Sequence, residues 1–187
     1  MEKEDSLPCQ LSRKLPIYLL KNNMNKIKSK LLGKMEIQRT MVRLAHEIIE
    51  NNDNLDNIVL IGIRTRGEYL AHRLVDLIEG SSEKNISSGT LDVTFYRDDF
   101  RTNLGSPKIG SSNILCEIDG KTVILIDDVL YTGRTIRAAM DEIFSYGRPS
   151  CIQLGVLVDR GHRELPIRAD YVGKIILLQL MNIFMFI

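Results

Sequence analysis

The sequence predicts an α/β fold, a mostly parallel sheet flanked by helices, and three observations carry that expectation. Short, continuously apolar runs (Ile58 to Ile63, Val123 to Ile126, Cys151 to Val158) read as strands buried on both faces. Between them lie segments whose apolar residues recur at helical spacing, and strands alternating with helices build parallel sheets. Polar clusters follow the strands, at Arg64 to Gly67, Asp127 to Thr135 and Asp159 to Arg168. Ligands of open parallel sheets bind beyond the carboxyl ends of the strands, so these clusters are where function is expected.

The elements follow in order. Ile37, Met41, Leu44, Ala45, Ile48 and Ile49 place an amphipathic helix from about Met35 to Asn51, ended by Asn51-Asn52-Asp53-Asn54. After the strand at Ile58 to Ile63, Glu68 to Ile78 reads as a helix. Leu91 to Tyr96 alternates like a strand. Residues 97–121 are polar, contain Gly105, Pro107 and Gly110, and read as a long mobile loop with a small hairpin. Thr135 to Tyr146 forms a helix closed by Gly147 and Pro149, and Cys151 to Val158 a further strand.

Composition bounds the rest. The 187 residues, 44% hydrophobic, suffice for one domain with a sizeable core. The net charge of +1 hides an asymmetry: residues 1–34 carry eight Lys/Arg against three Asp/Glu, leaving 17 basic against 21 acidic from residue 35 onward. A domain of that sign has no global attraction for nucleic acid, so RNA binding would need a local basic patch. The three scattered cysteines, Cys9, Cys116 and Cys151, read as reduced thiols of a cytoplasmic protein. No secretory signal is legible, and the apolar end, broken by Gln179 and Asn182, falls short of the ~20 residues a spanning helix needs.

The segment VILIDDVLYTGRT, Val123 to Thr135, is the most informative. Its strand delivers Asp127 and Asp128 to the sheet edge, where adjacent carboxylates can accept hydrogen bonds from vicinal ribose hydroxyls and stabilise developing positive charge. Thr132-Gly133-Arg134-Thr135 then turns into a helix. Gly133 lets backbone amides approach a phosphate, and the helix N-terminus and the Thr hydroxyls supply donors. Either pair alone is common at strand ends and helix starts. Neither a Walker loop nor a dinucleotide Gly-x-Gly-x-x-Gly fingerprint is present.

In this order and spacing the segment resembles the phosphoribosyl diphosphate motif of type I phosphoribosyltransferases. Two further segments resemble that family's parts. Arg64-Thr65-Arg66-Gly67 looks like its diphosphate loop, and residues 97–110, with Arg97, Asp98, Asp99 and Arg101, like the flexible loop that closes over substrate. LVDRGHRELPIRADYVGK (Leu157 to Lys174), AHEII (Ala45 to Ile49) and GIRTRG (Gly62 to Gly67) resemble the bifunctional pyrimidine-operon attenuation regulators with uracil phosphoribosyltransferase activity. The resemblance runs from about Met35 to Lys174.

That resemblance implies a type I phosphoribosyltransferase fold with a small hood. It implies uracil and phosphoribosyl diphosphate as substrates, UMP and diphosphate as products, and Mg²⁺ carried on the substrate with no protein side chain as direct ligand. Asp127 and Asp128 would be catalytic and would hold the ribose. Thr132, Gly133, Arg134 and Thr135 would hold its 5′-phosphate, and Val158, Asp159 and Arg160 would belong to the base-binding hood. His46, His162, Arg163, Arg168 and Lys174 match positions tied to RNA binding in the family. The implied regulation is UMP- or UTP-dependent binding to the leader mRNA of the pyrimidine operon, by a homo-oligomer, either dimer or hexamer. A purine-type phosphoribosyltransferase and a catalytically silent RNA-binding regulator of the same fold remain alternatives.

The chain departs from the family at Val42 and Asn51, where a hydroxyl and a basic residue are frequent, and over residues 1–23, which have no counterpart. The expected organisation is an N-terminal extension (1–34, poorly ordered at 1–23), a phosphoribosyltransferase domain (35–174) and an atypical apolar tail (175–187). After Lys174 the family continues Lys-Asn-x-Pro-Thr-Ser, whereas this chain reads Lys174-Ile175-Ile176-Leu177-Leu178-Gln179. A single lost A converts codons for Lys-Asn-Tyr-Pro-Thr-Ser into codons for this string, so the tail reads as the product of a frameshift.

Overall fold

A computed structural model of the chain describes residues 32–93 and 112–176. Arg97, Asp98, Asp99 and Arg101 of the expected closing loop lie outside the described residues, as do the N-terminal extension up to residue 31 and the tail from residue 177. Helix α1 spans Lys34–Asn51 and is followed by strand β1 (Ile58–Ile63) and helix α2 (Arg66–Ser82). Then come β2 (Ser87–Leu91), β3 (Thr122–Leu130), helix α3 (Arg134–Tyr146), β4 (Cys151–Asp159) and β5 (Tyr171–Ile175). The described strands form one sheet in the order β2-β1-β3-β4-β5, and each neighbouring pair is parallel.

Both faces are covered, which is why the central strands are apolar without alternation. Val59, Ile61, Ile63, Val123, Leu125, Leu154 and Val156 pack on one face with Ile136, Ala139 and Ile143 of α3. Ile58, Leu60, Ile124 and Ile126 pack on the other with Met41, Leu44 and Ile48 of α1 and Leu70, Leu74 and Ile78 of α2. Each of these positions is under 10% exposed, so deleting any one leaves a cavity as well as lost burial.

Several elements differ from the sequence expectation, among them β5, which was not expected and runs through Ile175, the first residue of the expected tail. Helix α2 runs four residues past Ile78, although Gly80-Ser81-Ser82 reads as a loop. The Ser81 and Ser82 hydroxyls donate to the Leu77 and Ile78 carbonyls (2.8 and 2.7 Å), and the helix closes on left-handed Glu83. Of the strand expected at Leu91 to Tyr96, residues 94–96 lie outside the described residues; in the described part the strand ends at Leu91 and extends upstream, because Ser87 to Leu91 pairs with Val59 to Ile63. Within the expected long loop, Ile118 is 1% exposed in the core and Asn113 bridges antiparallel to Thr90. Finally, β3 continues through Leu130, where it still pairs with Asp159. The acidic pair is therefore inside the strand rather than after it.

The fifth strand is fastened to α1. The Arg43 guanidinium donates to the Val172 and Gly173 carbonyls (3.0 and 2.7 Å) and pairs with Glu47. Beside it, Tyr171, 1% exposed, donates its hydroxyl to Gln153 Oε1 (2.9 Å) and accepts from Asn52 Nδ2 (3.0 Å). Burial pushes the Tyr171 hydroxyl above its ordinary pKa, and the bond from Asn52 offsets part of that rise. Tyr171→Phe should cost about 1–3 kcal/mol, because it strips a partner from two half-buried amides. A drop in the urea midpoint without a change in slope checks this.

Candidate active site

Three loops converge at the carboxyl edge of β1, β3 and β4, the middle of the sheet. The first, Arg64-Thr65, leads from β1 directly into α2, whose first residues are Arg66 and Gly67. The Arg64–Thr65 peptide is cis, Arg64 N donates to the Leu91 carbonyl (2.8 Å), and Arg64 Nε lies 3.3 Å from Glu68 Oε2. This turn is tight because of two glycines. A Cβ at Gly62 would lie 2.6 Å from the Glu68 Cα, and a Cβ at Gly67 would run into the Ile126 carbonyl oxygen. Without side chains there, the N-terminus of α2 closes onto β3.

That approach joins two motifs that are 62 residues apart in sequence. Arg66 Nη1 donates to Asp128 Oδ2 at 3.0 Å. Asp128 is partly buried and its neighbour Asp127 is 4% exposed. Asp127 Oδ1 accepts from the Asp128 amide at 2.8 Å, which orients the buried carboxylate within β3.

The second loop, Tyr131 to Gly133, turns β3 into α3. Gly133 caps the helix at φ 92°, a left-handed conformation open to glycine at little steric cost. Arg134 N donates to Thr132 Oγ1 (3.3 Å). The cap residues Thr65 of α2 and Gly133 of α3 make no side-chain capping bond. Two helix N-termini thus stand at one edge, flanking an acidic pair, and such termini favour phosphate groups.

The third loop, residues 160–170, follows β4 and packs on the second. Glu164 N and Leu165 N both donate to the Thr132 carbonyl (3.0 and 3.1 Å), Arg160 N donates to the Leu130 carbonyl (2.9 Å), and Arg134 Nε pairs with Glu164 Oε2 (2.7 Å). The Arg160 guanidinium lies over the Tyr131 ring, 4.2 Å from its centroid, a cation–π arrangement. Val158 and Asp159 belong to the central sheet rather than to a separate hood, because β4 continues through Asp159 and the Val158 side chain is 6% exposed.

The basic residues expected on an RNA-binding face divide. His162 and Arg168 are exposed on the third loop, and the His162 ring lies 6.3 Å from that of Tyr131. His46 and Lys174 are exposed on α1 and β5, the two elements that Arg43 fastens together. Arg163 differs. Its guanidinium is turned inward, with Nη2 2.6 Å from Asp159 Oδ2 and further bonds to the Tyr131, Gly161 and Ile167 carbonyls. Burial alone would raise the Asp159 carboxyl, but the hydrogen bonds from Arg163 and the Gly161 amide, with the Arg163 charge, hold it below its usual value. Sequence reasoning missed this clamp, although the Asp-x-Gly turn and the four-residue spacing of Asp159 and Arg163 were signals.

The phosphoribosyl transferase domain family matches residues 29–184 of this chain. The chain belongs to that family. It is also similar to the curated "Bifunctional protein PyrR" of several bacteria. The Thermoanaerobacter sp. (strain X514) protein is 51% identical over 149 residues, covering 80% of this chain and 84% of that protein. The Brevibacillus brevis protein is 53% identical over 147 residues (79% and 82%), and that of Bacillus cereus (strain AH820) 54% over 149 residues (79% and 83%). Identity at this level over four fifths of the chain bears out the resemblance read in the sequence. Among solved structures, a hypoxanthine phosphoribosyltransferase from Staphylococcus aureus matches with a TM-score of 0.63 at 24% identity, covering 81% of this chain and 80% of that one. A hypoxanthine-guanine phosphoribosyltransferase from Bacillus anthracis matches with a TM-score of 0.64 at 23% identity, covering 82% and 86%. At these identities the likeness is one of fold, and it bears out the expected phosphoribosyltransferase architecture.

Proposed function

We propose that this protein transfers the phosphoribosyl group of phosphoribosyl diphosphate to uracil, and that uridine-nucleotide occupancy of the same site controls its binding to the leader mRNA of pyrimidine-biosynthesis genes. The observation that carries the first half is the spacing of anion sites. Phosphoribosyl diphosphate bears two separate phosphate groups flanking a vicinal diol, and the edge offers two helix N-termini flanking Asp127 and Asp128. The α2 turn, Arg64 to Gly67, takes the diphosphate, and Thr132 to Thr135 take the 5′-phosphate. The acidic pair accepts from the ribose hydroxyls and stabilises the positive charge that grows on the ribose as the bond to diphosphate breaks. Uracil N1 then forms the new bond to C1′ and releases its proton to water, while diphosphate leaves with the electron pair of the broken C1′–O bond. Arg160, held over Tyr131, lines the base side together with the end of β4.

Mg²⁺ would be carried on phosphoribosyl diphosphate beside the acidic pair, with no protein side chain as a direct ligand. Among the described residues there is no group of three or more His, Cys, Asp or Glu that could hold a metal unaided, so the diphosphate and ribose oxygens would supply most of its shell. Bound there, Mg²⁺ supplies neutralisation of charge on the leaving group.

The second half rests on the PyrR relatives, whose name declares two functions, and on exposed His46, His162, Arg168 and Lys174 in a domain of net negative charge. No helix among the described residues is long and apolar enough to cross a membrane; a cytoplasmic homo-oligomer, dimer or hexamer, is part of the same reading. The deciding experiment measures Mg²⁺-dependent UMP formation from uracil, with hypoxanthine as the competing base. Turnover of uracil and none of hypoxanthine is expected; preference for the purine, or no turnover with either base, overturns the enzymatic half. For the regulatory half, Arg168→Ala should weaken leader-RNA binding and lower the salt slope by about one phosphate contact, leaving uracil turnover intact.

A further inference from the structure

Arg163 sits among residues expected to touch RNA, yet its contacts lie inside the protein. Nε donates to the Ile167 carbonyl (2.9 Å), Nη1 to the Tyr131 carbonyl (2.9 Å) and the Gly161 carbonyl (3.1 Å), and Nη2 to Asp159 Oδ2 (2.6 Å). Its side chain is 23% exposed. These partners come from three places: Tyr131 opens the phosphate loop, Asp159 ends β4, and Gly161 and Ile167 bracket the third loop. The chain reaches this arrangement through two successive left-handed residues, Gly161 (φ 73°) and His162 (φ 57°), which fold Arg163 back onto Asp159. The same third loop grips the phosphate loop through Glu164 N and Leu165 N on the Thr132 carbonyl and through the Arg134–Glu164 pair.

From this geometry we infer that Arg163 is a positioning residue, a strut that couples the phosphate loop to the surface carrying His162 and Arg168, rather than an RNA contact. This deepens the regulatory reading above and rests on it. A 5′-phosphate bound at Thr132 to Thr135 orders the loop whose carbonyl at Thr132 holds Glu164 and Leu165. Arg163 makes that ordering extend to its neighbours on either side, His162 and the segment up to Arg168. Linkage makes the effect reciprocal: if UMP tightens RNA binding, RNA tightens UMP binding by the same factor. Lysine cannot replace the strut, since one ammonium group does not reproduce a planar fork aimed at four backbone carbonyls, Leu130 included, and a carboxylate.

The test uses the full chain and UMP as the probe. UMP binding is measured by calorimetry, and amide hydrogen exchange is followed across residues 161–168. In the wild type, UMP should slow exchange at Glu164 and Leu165 at least tenfold. In Arg163→Gln, UMP should still bind but the slowing should vanish. With leader RNA, Arg163→Gln should keep the wild-type salt slope while losing the enhancement by UMP, whereas Arg168→Ala should lose slope and keep the enhancement. If Arg163→Gln fails to fold by circular dichroism, Arg163→Lys carries the same measurements. A phosphate contact would survive that change with its UMP response intact; the strut would not. Equal slowing in variant and wild type, no slowing in a wild type that binds UMP, or a reduced salt slope in Arg163→Gln overturns the inference. A wild type that binds no UMP overturns the reading of the site itself, and this inference with it.

Discussion

Replacing Asp127 and Asp128 together with Asn should lower uracil turnover by about 10²–10³-fold, the loss typical when a preorganised charge-stabilising group is removed from a site. The fold should survive, because Asn is close in size and the strand pairing of Asp127 with Val156 is a backbone matter. The single variants should differ. Asp127 is 4% exposed and held by the Asp128 amide, so Asn there replaces a buried carboxylate with a neutral amide at an oriented position, and kcat should carry the loss. Asp128 also accepts from Arg66 at 3.0 Å. Asp128→Asn weakens that contact with Arg66, a residue proposed to hold the diphosphate, so KM for phosphoribosyl diphosphate should move as well as kcat. Steady-state kinetics on the three variants, with urea unfolding as the control for stability, separates these effects. Undiminished turnover in the double variant would remove the acidic pair from the mechanism.

Gly67→Ala should be among the most damaging single-methyl changes at the described glycines. The added Cβ meets the Ile126 carbonyl oxygen and crowds the Asp127 Cα at 3.2 Å, both backbone atoms that cannot rotate away. Overpacking of this kind costs about 1–3 kcal/mol. Relief requires α2 to draw back from β3, and that movement separates Arg66 from Asp128. Both stability and turnover should therefore fall, with turnover falling further than the loss of folded protein explains. As a control, Gly80 has open space around its Cα, and Gly80→Ala, also within α2, should be neutral or slightly stabilising. A Gly67→Ala protein with wild-type melting temperature and kinetics would show that the β1–α2 turn is looser than its geometry states.

The two predictions draw on different levels of information. Asp127, Asp128 and the Thr132 to Thr135 turn are local: an apolar run, two carboxylates and a glycine-centred helix start lie within 13 consecutive residues, Val123 to Thr135, and the chemistry follows from that order. Strands β1, β3 and β4 were legible because burial on both faces leaves an unbroken apolar signature, as at Ile58 to Ile63. Strand β2 was not, because Ser87-Ser88-Gly89-Thr90 has no such signature and is held in the sheet by pairing with Val59 to Ile63. The end of α2 was hidden for a related reason, since the serines that extend it act through hydrogen bonds to the turn before them.

By itself, then, the sequence determined the class of sheet, the strand that bears the acidic pair and the glycine-centred turn proposed to hold a phosphate, since each depends on neighbours in the chain. Tertiary structure alone decided which distant groups meet. Gly67 is interchangeable with many turn glycines until β3 is placed against it, and Arg66 is one cation among 25 Lys/Arg until Asp128 lies 3.0 Å away. Arg163 reads as a basic surface residue, alongside His162 and Arg168, until the backbone turns left-handed at Gly161 and His162 and brings it onto Asp159 and four backbone carbonyls. Patterning reports which residues avoid water, whereas the pairing of polar groups is set by where the backbone carries them, and those partners lie 2 to 62 positions apart.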